Sequence, residues 1–375
     1  MDKKKITNME VKKKNRNEVF RYICKNGTVS NPDISYNMKI SLPTVTQITK
    51  ELMAEGLLEE KGELQSTGGR RAKAFSAVVN ARLAVGLDIT KNHFALMLTN
   101  IVGEILKYER IYQPYVSGEA YYHKISERLE HFLDESGADR DRVLGVGISF
   151  PGIVDLDKEQ ITYSHILGVE VIPFDSVSGF FSYPCFFLND ANAGAYAEGF
   201  HGDETERFFY LSLSNTVGGA IFGGNELIQG RNFRCGEVGH MTVVMDGEMC
   251  YCGKRGCLDA YCAAWRLSDA ADGKLEQFFS LLDQGDEEAA EIWDSYTDYL
   301  AAAVNNIHMV LDCDIILGGY VGSCIGTHLR ELWDKVAGRN TFGEKESFVK
   351  ACNYKVAAAA LGAALRVIEL FVSQI

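Results

Sequence analysis

Four residues limit the folding of this chain more than any others. His240, Cys250, Cys252 and Cys257 crowd into one segment, which runs Gly236-Glu237-Val238-Gly239-His240 and then Cys250-Tyr251-Cys252-Gly253-Lys254-Arg255-Gly256-Cys257-Leu258-Asp259. One imidazole and three thiolates are the ligand set of a closed structural zinc site, His240, Cys250, Cys252 and Cys257 together. Gly253 and Gly256 let a tight loop turn the thiolates inward. Filling a core with three closely spaced cysteines and a histidine is the competing reading, and a costly way to build one. Glu237 adds a carboxylate in a glycine-rich loop beside the metal ligands. Cys235 is near enough to be a spare ligand, though packing is favoured. Cys24, Cys185, Cys262, Cys313, Cys324 and Cys352 read as small buried hydrophobes.

The ten cysteines follow no secretory signal, since Met1-Asp2-Lys3-Lys4-Lys5 leads into no apolar core. That combination points to reduced thiols and a cytoplasmic protein. Every apolar run is broken by Lys or Arg, so no membrane association is expected. The length, 375 residues, suits two or three domains.

A net charge of −13 hides an asymmetry: residues 1–75 hold 15 Lys and Arg against 9 Asp and Glu, and the remainder holds 23 against 42. A basic module on an acidic body implies that the module alone meets a polyanion. A first helix is expected from Asn15, with Val19, Phe20 and Ile23 inward, after a frayed basic segment. A short second helix follows Asn31-Pro32, burying Ile34 and Met38. Ser41 is an N-cap for a third helix reaching about Glu55, with Val45, Ile48 and Leu52 inward. Its other face carries Thr44, Thr46, Gln47, Thr49 and Lys50, side chains suited to base edges and phosphates in a major groove. Two strands then flank Ser66-Thr67-Gly68-Gly69-Arg70-Arg71, a glycine wing whose guanidinium groups suit a narrow A·T-rich minor groove. A helical hairpin that binds protein is the competing reading.

The body, from residue 81, alternates strands with helices. Strands are expected at 83–89, 93–99, 103–110, 143–149, 208–214, 220–222 and 314–319, and helices at 119–135, after Asn192 and at 354–371. An early meander followed by strand–helix units occurs twice. This predicts two similar α/β lobes with a cleft at the strand ends.

These residues together resemble the ROK family (repressor, open reading frame, kinase), with a likeness from about Asn15 to Phe371. The module with its Gly-Gly-Arg-Arg wing is similar to the winged helix-turn-helix of ROK repressors, including xylose-type and N-acetylglucosamine-type ones. Phe150-Pro151-Gly152-Ile153-Val154-Asp155, Asn189-Asp190-Ala191-Asn192, the Gly236–His240 loop and the cysteine segment are similar to ROK sugar kinases. The resemblance implies a winged helix over 1–80, then a two-lobed actin-like (ribonuclease H-like) fold. Its first lobe would span 81–200, rejoined by the helix at 354–372, and its second 201–353. Asn189, Asp190, Glu237 and His240 then fall where the family grips its sugar, with Gly152 beside them. Asp259 stands where the family has Glu, one methylene longer. His240 would bind zinc through one ring nitrogen and offer the other to a sugar hydroxyl.

Asp190 matches the family's general base, retained at least as a vestige. Phosphoryl transfer, however, depends on glycine turns that cradle phosphates. Thr90 and Lys91 replace two glycines of the first turn. Ser214 and Thr216 replace two in the second, Ser214-Asn215-Thr216-Val217-Gly218-Gly219. Sugar binding is therefore expected without ATP binding. The expected protein is a sugar-responsive repressor, a homodimer or dimer of dimers on palindromic, A/T-rich operator DNA. An active kinase fused to a DNA-binding domain is the alternative, and a regulator answering to a protein is a third reading.

Overall fold

The computed structural model of the chain describes residues 8–63, 72–202 and 205–375. Arg70, Arg71 and the rest of the expected wing tip lie outside them. The basic module contains helices α1 (Asn8–Asn26), α2 (Asn31–Met38) and α3 (Leu42–Ala54). Strands β1 (Val29–Ser30), β2 (Leu58–Glu63) and β3 (Lys73–Ala77) form a sheet in the order β1-β3-β2. The Ser30 hydroxyl accepts from the Asp33 N–H, and the Asp33 carboxylate accepts from the Ser30 N–H, closing a capping box on α2. Ser41 caps α3 by accepting from the Thr44 N–H. Val19, Phe20, Ile23, Ile34, Val45, Ile48 and Leu52 are buried, as the helical periodicity requires.

Two expectations here need correction. Helix α1 starts at Asn8 rather than Asn15. Its early turns are rich in good helix formers, and Lys12 anchors them to Glu51 of α3 at 2.9 Å. Thr49 is buried, not on the outer face of α3, and its hydroxyl donates to the Thr46 carbonyl at 3.2 Å.

The acidic body contains two five-stranded sheets of identical connectivity. In the first, β4 (Leu83–Ile89), β5 (His93–Asn100) and β6 (Ile105–Tyr112) form an antiparallel meander. Strand β7 (Val143–Phe150) runs parallel to β4. Between it and β11 (Cys185–Asn189), parallel to β7, the chain makes a small antiparallel sheet of β8 (Ile153–Asp155), β9 (Gln160–Ser164) and β10 (Val169–Pro173). The second sheet repeats the plan with β12 (Arg207–Leu213), β13 (Val217–Gly223), β14 (Glu226–Ile228), β15 (Asp314–Gly318) and β16 (Val349–Ala351). Strands β15 and β16 are its parallel pair. This repeat is the two-lobed, actin-like α/β fold. Gly218 and Gly219 belong to β13, so the second glycine turn is shorter than the sequence suggested. Among the described residues, no helix is long and apolar enough to cross a membrane.

The final helix (Ala358–Val372) starts later than expected, after a single 3-10 turn at Lys355–Ala357. It lies between the first sheet and the helix Asp190–Gly199. A Cβ on Gly86 would come within 1.8 Å of the Ala360 carbonyl, and one on Gly362 within 1.7 Å of the Ala193 carbonyl. Backbone touches backbone on both sides, which no larger residue permits. The far half of this helix buries Ala364, Val367, Ile368 and Val372 in one core with Val19, Phe20 and Ile23 of α1.

Candidate functional site

The cleft opens where β7 and β11 end. Asn189 finishes β11, and its side-chain oxygen caps the next helix by accepting from the Asn192 N–H at 3.1 Å. Its amide nitrogen donates to the Gly152 carbonyl at 3.0 Å and to Asp190 Oδ1 at 2.9 Å. Gly152 has φ +140, a backbone state open to glycine. Asp190 Oδ1 also accepts from the Ala191 N–H at 3.0 Å. Burial pushes the Asp190 carboxyl up to about 6, the Ala191 N–H opposes this, and Glu237 adds to the rise. Glu237 is itself raised by burial, with Arg234 opposing. Asp88, at the end of β4, accepts from the Ser149 hydroxyl at 2.8 Å. Burial lifts it to about 7 against that bond, and Asp190 contributes to the lift. Gly152, Asn189 and Asp190 are thereby tied into one hydrogen-bonded cluster, and the charge of Glu237 acts on Asp190, a set of donors and acceptors of the kind that can hold the hydroxyls of a polyol.

Asp259 is buried and opens the short helix Asp259–Cys262. Its Oδ2 accepts from the Val217 N–H at 2.6 Å, which commits one carboxylate oxygen to the backbone. No pattern in the sequence signals this bond.

The four expected metal ligands converge: the ligand atoms of His240, Cys250, Cys252 and Cys257 all lie within 4.8 Å of one another. Two sulfurs on a tetrahedral ion with bonds near 2.3 Å should be about 3.8 Å apart. Cys252 Sγ and Cys257 Sγ are 3.8 Å apart, and Cys250 Sγ and His240 Nδ1 are 4.0 Å apart. The four ligand atoms are gathered closely enough that the cluster could hold a metal ion. Gly253 and Gly256 have φ +81 and +79, the turn geometry expected of them. Cys235 is not part of the cluster. His240 Nε2, the nitrogen away from the sulfurs, is 3.3 Å from the Tyr251 hydroxyl. The Tyr251 ring stacks on His165 with centroids 4.1 Å apart, a contact between the cysteine loop and the small sheet that sequence reasoning missed.

A small cleft that Asp190 also lines is bordered by Asp88, Thr90, Lys91, Tyr210, Ser214 and Tyr320, among others. Each of the two turns facing it holds its first amide internally. Thr90 donates both its N–H and its hydroxyl to the His93 carbonyl, at 2.9 Å each, and the His93 N–H donates to Thr90 Oγ1 at 3.2 Å. In the second turn, the Ser214 N–H donates to the Thr216 carbonyl at 3.2 Å, and the Val217 N–H is held by Asp259.

In the basic module, Thr46, Gln47 and Lys50 are exposed along α3, and Thr44 is half-buried at its start. Gln47 Nε2 donates to Glu51 Oε1 at 2.9 Å, and the Thr46 hydroxyl donates to the Leu42 carbonyl at 2.8 Å.

A profile of the ROK family matches residues 84–369, and one described as winged helix-turn-helix DNA-binding matches residues 13–59. The xylose repressor of Bacillus subtilis (strain 168) is 29% identical over 253 residues, covering 67% of this chain and 66% of that protein. The N-acetylglucosamine repressor of Escherichia coli O157:H7 is 27% identical over 299 residues, covering 79% of this chain and 72% of that protein. The chain spans about two thirds of the length of the first curated relatives it matches, 64% and 66%. The crystal structure of a ROK family transcriptional regulator, a homolog of the E. coli MLC protein, superposes with a TM-score of 0.78. It covers 97% of this chain and 100% of its own at 20% identity, a likeness of fold.

Proposed function

The chain belongs to the ROK family, and from that premise we propose that it is a sugar-responsive transcriptional repressor rather than a kinase. One contrast carries this reading. Asn189, Asp190, Glu237 and His240 would supply hydroxyl-binding groups on one side of the cleft, while on the other side the Thr90, Ser214 and Val217 amides are bonded within the protein. The first is what a sugar needs, and the second removes donors that a triphosphate needs. Relatives named as xylose and N-acetylglucosamine repressors support a sugar as the effector.

In this reading 1–80 reads operator DNA, with Thr44, Thr46, Gln47 and Lys50 in the major groove and Arg70 and Arg71 in the minor groove. Residues 81–200 with 354–372 form one lobe and 201–353 the other. Asp190 accepts a hydrogen bond from a sugar hydroxyl, and Asn189, Gly152 and the Gly236–His240 loop shape the pocket. Asp259 fixes the pocket from behind through the Val217 amide. Zinc is the ion we assign to the cysteine cluster, where it would fix the His240 ring.

A sugar shifts DNA affinity only by its differential affinity for two arrangements of the lobes. Two-fold operators call for a dimer, or a dimer of dimers, and the cytoplasm is where such DNA lies. The test is operator binding by fluorescence anisotropy across a panel of pentoses, hexoses and amino sugars. Release by one sugar, lost in Asp190→Asn, is expected. A panel that leaves DNA bound throughout would point to a protein effector instead.

A further inference from the structure

Beside the pocket runs an open groove between the small β8–β10 sheet and the loop 229–235 of the second lobe. Two aromatic residues line it from opposite lobes, Tyr163 and Phe233, and both are in the left-handed backbone region, with φ +54 and +56. A bulky side chain at positive φ is a strained outlier. Such strain persists where the surroundings enforce it, and it clusters at ligand clamps. Core packing does not repay it at Tyr163, a residue 68% exposed. The Arg234 guanidinium lies 5.9 Å from the Tyr163 ring centroid, holding that ring at the groove wall. Arg231 and Glu170 also line the groove, and among the described residues neither makes a hydrogen bond or ion pair.

The groove begins where the pocket ends. Ile153, on its wall, follows Gly152, whose carbonyl holds Asn189. Arg234, on the facing wall, is the group whose charge acts on Glu237. A pyranose ring has an apolar C–H face and a rim of hydroxyls. The exposed Tyr163 and the half-buried Phe233, with the donors and acceptors of Arg231 and Glu170 between them, match both. Arginines on one side and carboxylates on the other give the groove no single sign, which favours a neutral ring over a phosphate or a uronate.

We propose that this groove is a second carbohydrate subsite and that the effector is a neutral oligosaccharide, its terminal ring in the Asp190 pocket and its next ring between Tyr163 and Phe233. The proposal rests on the sugar-pocket reading above.

Isothermal titration of the full chain tests it with matched pairs: xylose and xylobiose, glucose with cellobiose and maltose, N-acetylglucosamine and N,N′-diacetylchitobiose. One disaccharide should bind at least about tenfold tighter than its own monosaccharide. Tyr163→Ala and Arg231→Ala should each cut that gain and leave the monosaccharide Kd unchanged. Tyr163→Gly should cut it too, with the melting temperature held or raised because the backbone strain is relieved. Monosaccharide binding with no gain for any disaccharide would overturn the subsite alone, as would variants that weaken both ligands equally. A fall in melting temperature in Tyr163→Gly would make Tyr163 a structural residue and overturn the proposal as well. Binding of neither class would overturn the pocket reading and the subsite together.

Discussion

Arg21 of α1 and Glu369 of the final helix, 348 positions apart, form a two-pronged ion pair in which each guanidinium Nη meets its own carboxylate oxygen. The same helix lies backbone to backbone on the helix that begins at Asp190. In the proposed reading, a displacement at Asp190 would pass to the basic module through these two packed helices. Glu369→Gln should lower stability by about 1 kcal/mol and shrink the sugar-induced change in operator affinity. Denaturant melts and anisotropy titrations with and without sugar measure the two effects. A double-mutant cycle of Arg21→Ala with Glu369→Ala giving no coupling energy would make the pair idle.

The cysteine cluster should hold roughly one zinc per chain, since a preformed four-ligand site binds its ion as part of folding. Chelation, or Cys252→Ser, should lower the melting temperature and the sugar affinity together, because the proposed ion would orient His240, which the proposed reading sets at the pocket. Cys235→Ser, outside the cluster, should change neither. Metal analysis of the purified chain settles the stoichiometry, and zinc-free protein with full sugar affinity would count against the assignment.

Much of this molecule was legible from short motifs. The cysteine spacing announced four ligands that do converge, and Ser41 with Pro43 fixed the start of α3. The repeated strand meander announced two matching sheets. Long-range pairings were not legible, because no local pattern encodes them: the Asp259 bond to Val217, Arg21 with Glu369, and His165 stacked on Tyr251. The strands β8–β10 escaped for another reason. They are short, with mixed burial, so no clean two-residue alternation marks them. Helix α1 was cut short because a lysine-rich segment reads as solvated until its partner on α3 is known.

Base and phosphate contacts should separate by substitution along α3. Gln47→Ala should relax sequence preference by about 1–3 kcal/mol at one base pair. Lys50→Ala, Arg70→Ala and Arg71→Ala should weaken binding to all sequences, each lowering the salt slope by about 1. Glu51 holds the Gln47 amide, so Glu51→Ala should broaden specificity in the same direction as Gln47→Ala. Titrations of operator and scrambled duplexes at several salt concentrations distinguish these outcomes. An unchanged slope in the arginine variants would remove the wing from the interface.

Asp88 gives the fold a pH dependence of stated sign. Burial raises its carboxyl to about 7, whereas an unfolded aspartate titrates near 4. Between those values the folded chain keeps a proton that the unfolded chain has lost. This group's contribution is therefore full below about pH 4 and is lost as pH rises through 7, at up to about 1.4 kcal/mol per pH unit. Asp88→Asn retains an acceptor for the Ser149 hydroxyl and does not titrate. Its stability advantage over the parent chain, measured by urea denaturation, should be larger at pH 8 than at pH 5. An advantage equal at both would mean that Asp88 ionises normally in the fold.

ATP should bind weakly or not at all, and no sugar should be phosphorylated at a rate above background. A phosphate cradle works by pointing free backbone N–H groups at the ligand. Here the Thr90 amide is spent on the His93 carbonyl, the Ser214 amide on Thr216, and the Val217 amide on Asp259. Recovering those donors for a triphosphate means breaking three internal hydrogen bonds, at about 1 kcal/mol net each. Asp190, which the proposed reading sets where the family's base acts, would have nothing to drive without a positioned phosphoryl group. Titration calorimetry with ATP and magnesium, and a coupled ADP assay over the same sugar panel, test this directly. Turnover that vanishes in Asp190→Asn would restore the kinase reading. Asp259→Ala is the sharper probe, because it frees the Val217 amide: if the inward-turned amides are what exclude nucleotide, ATP affinity should rise in that variant while catalysis stays absent.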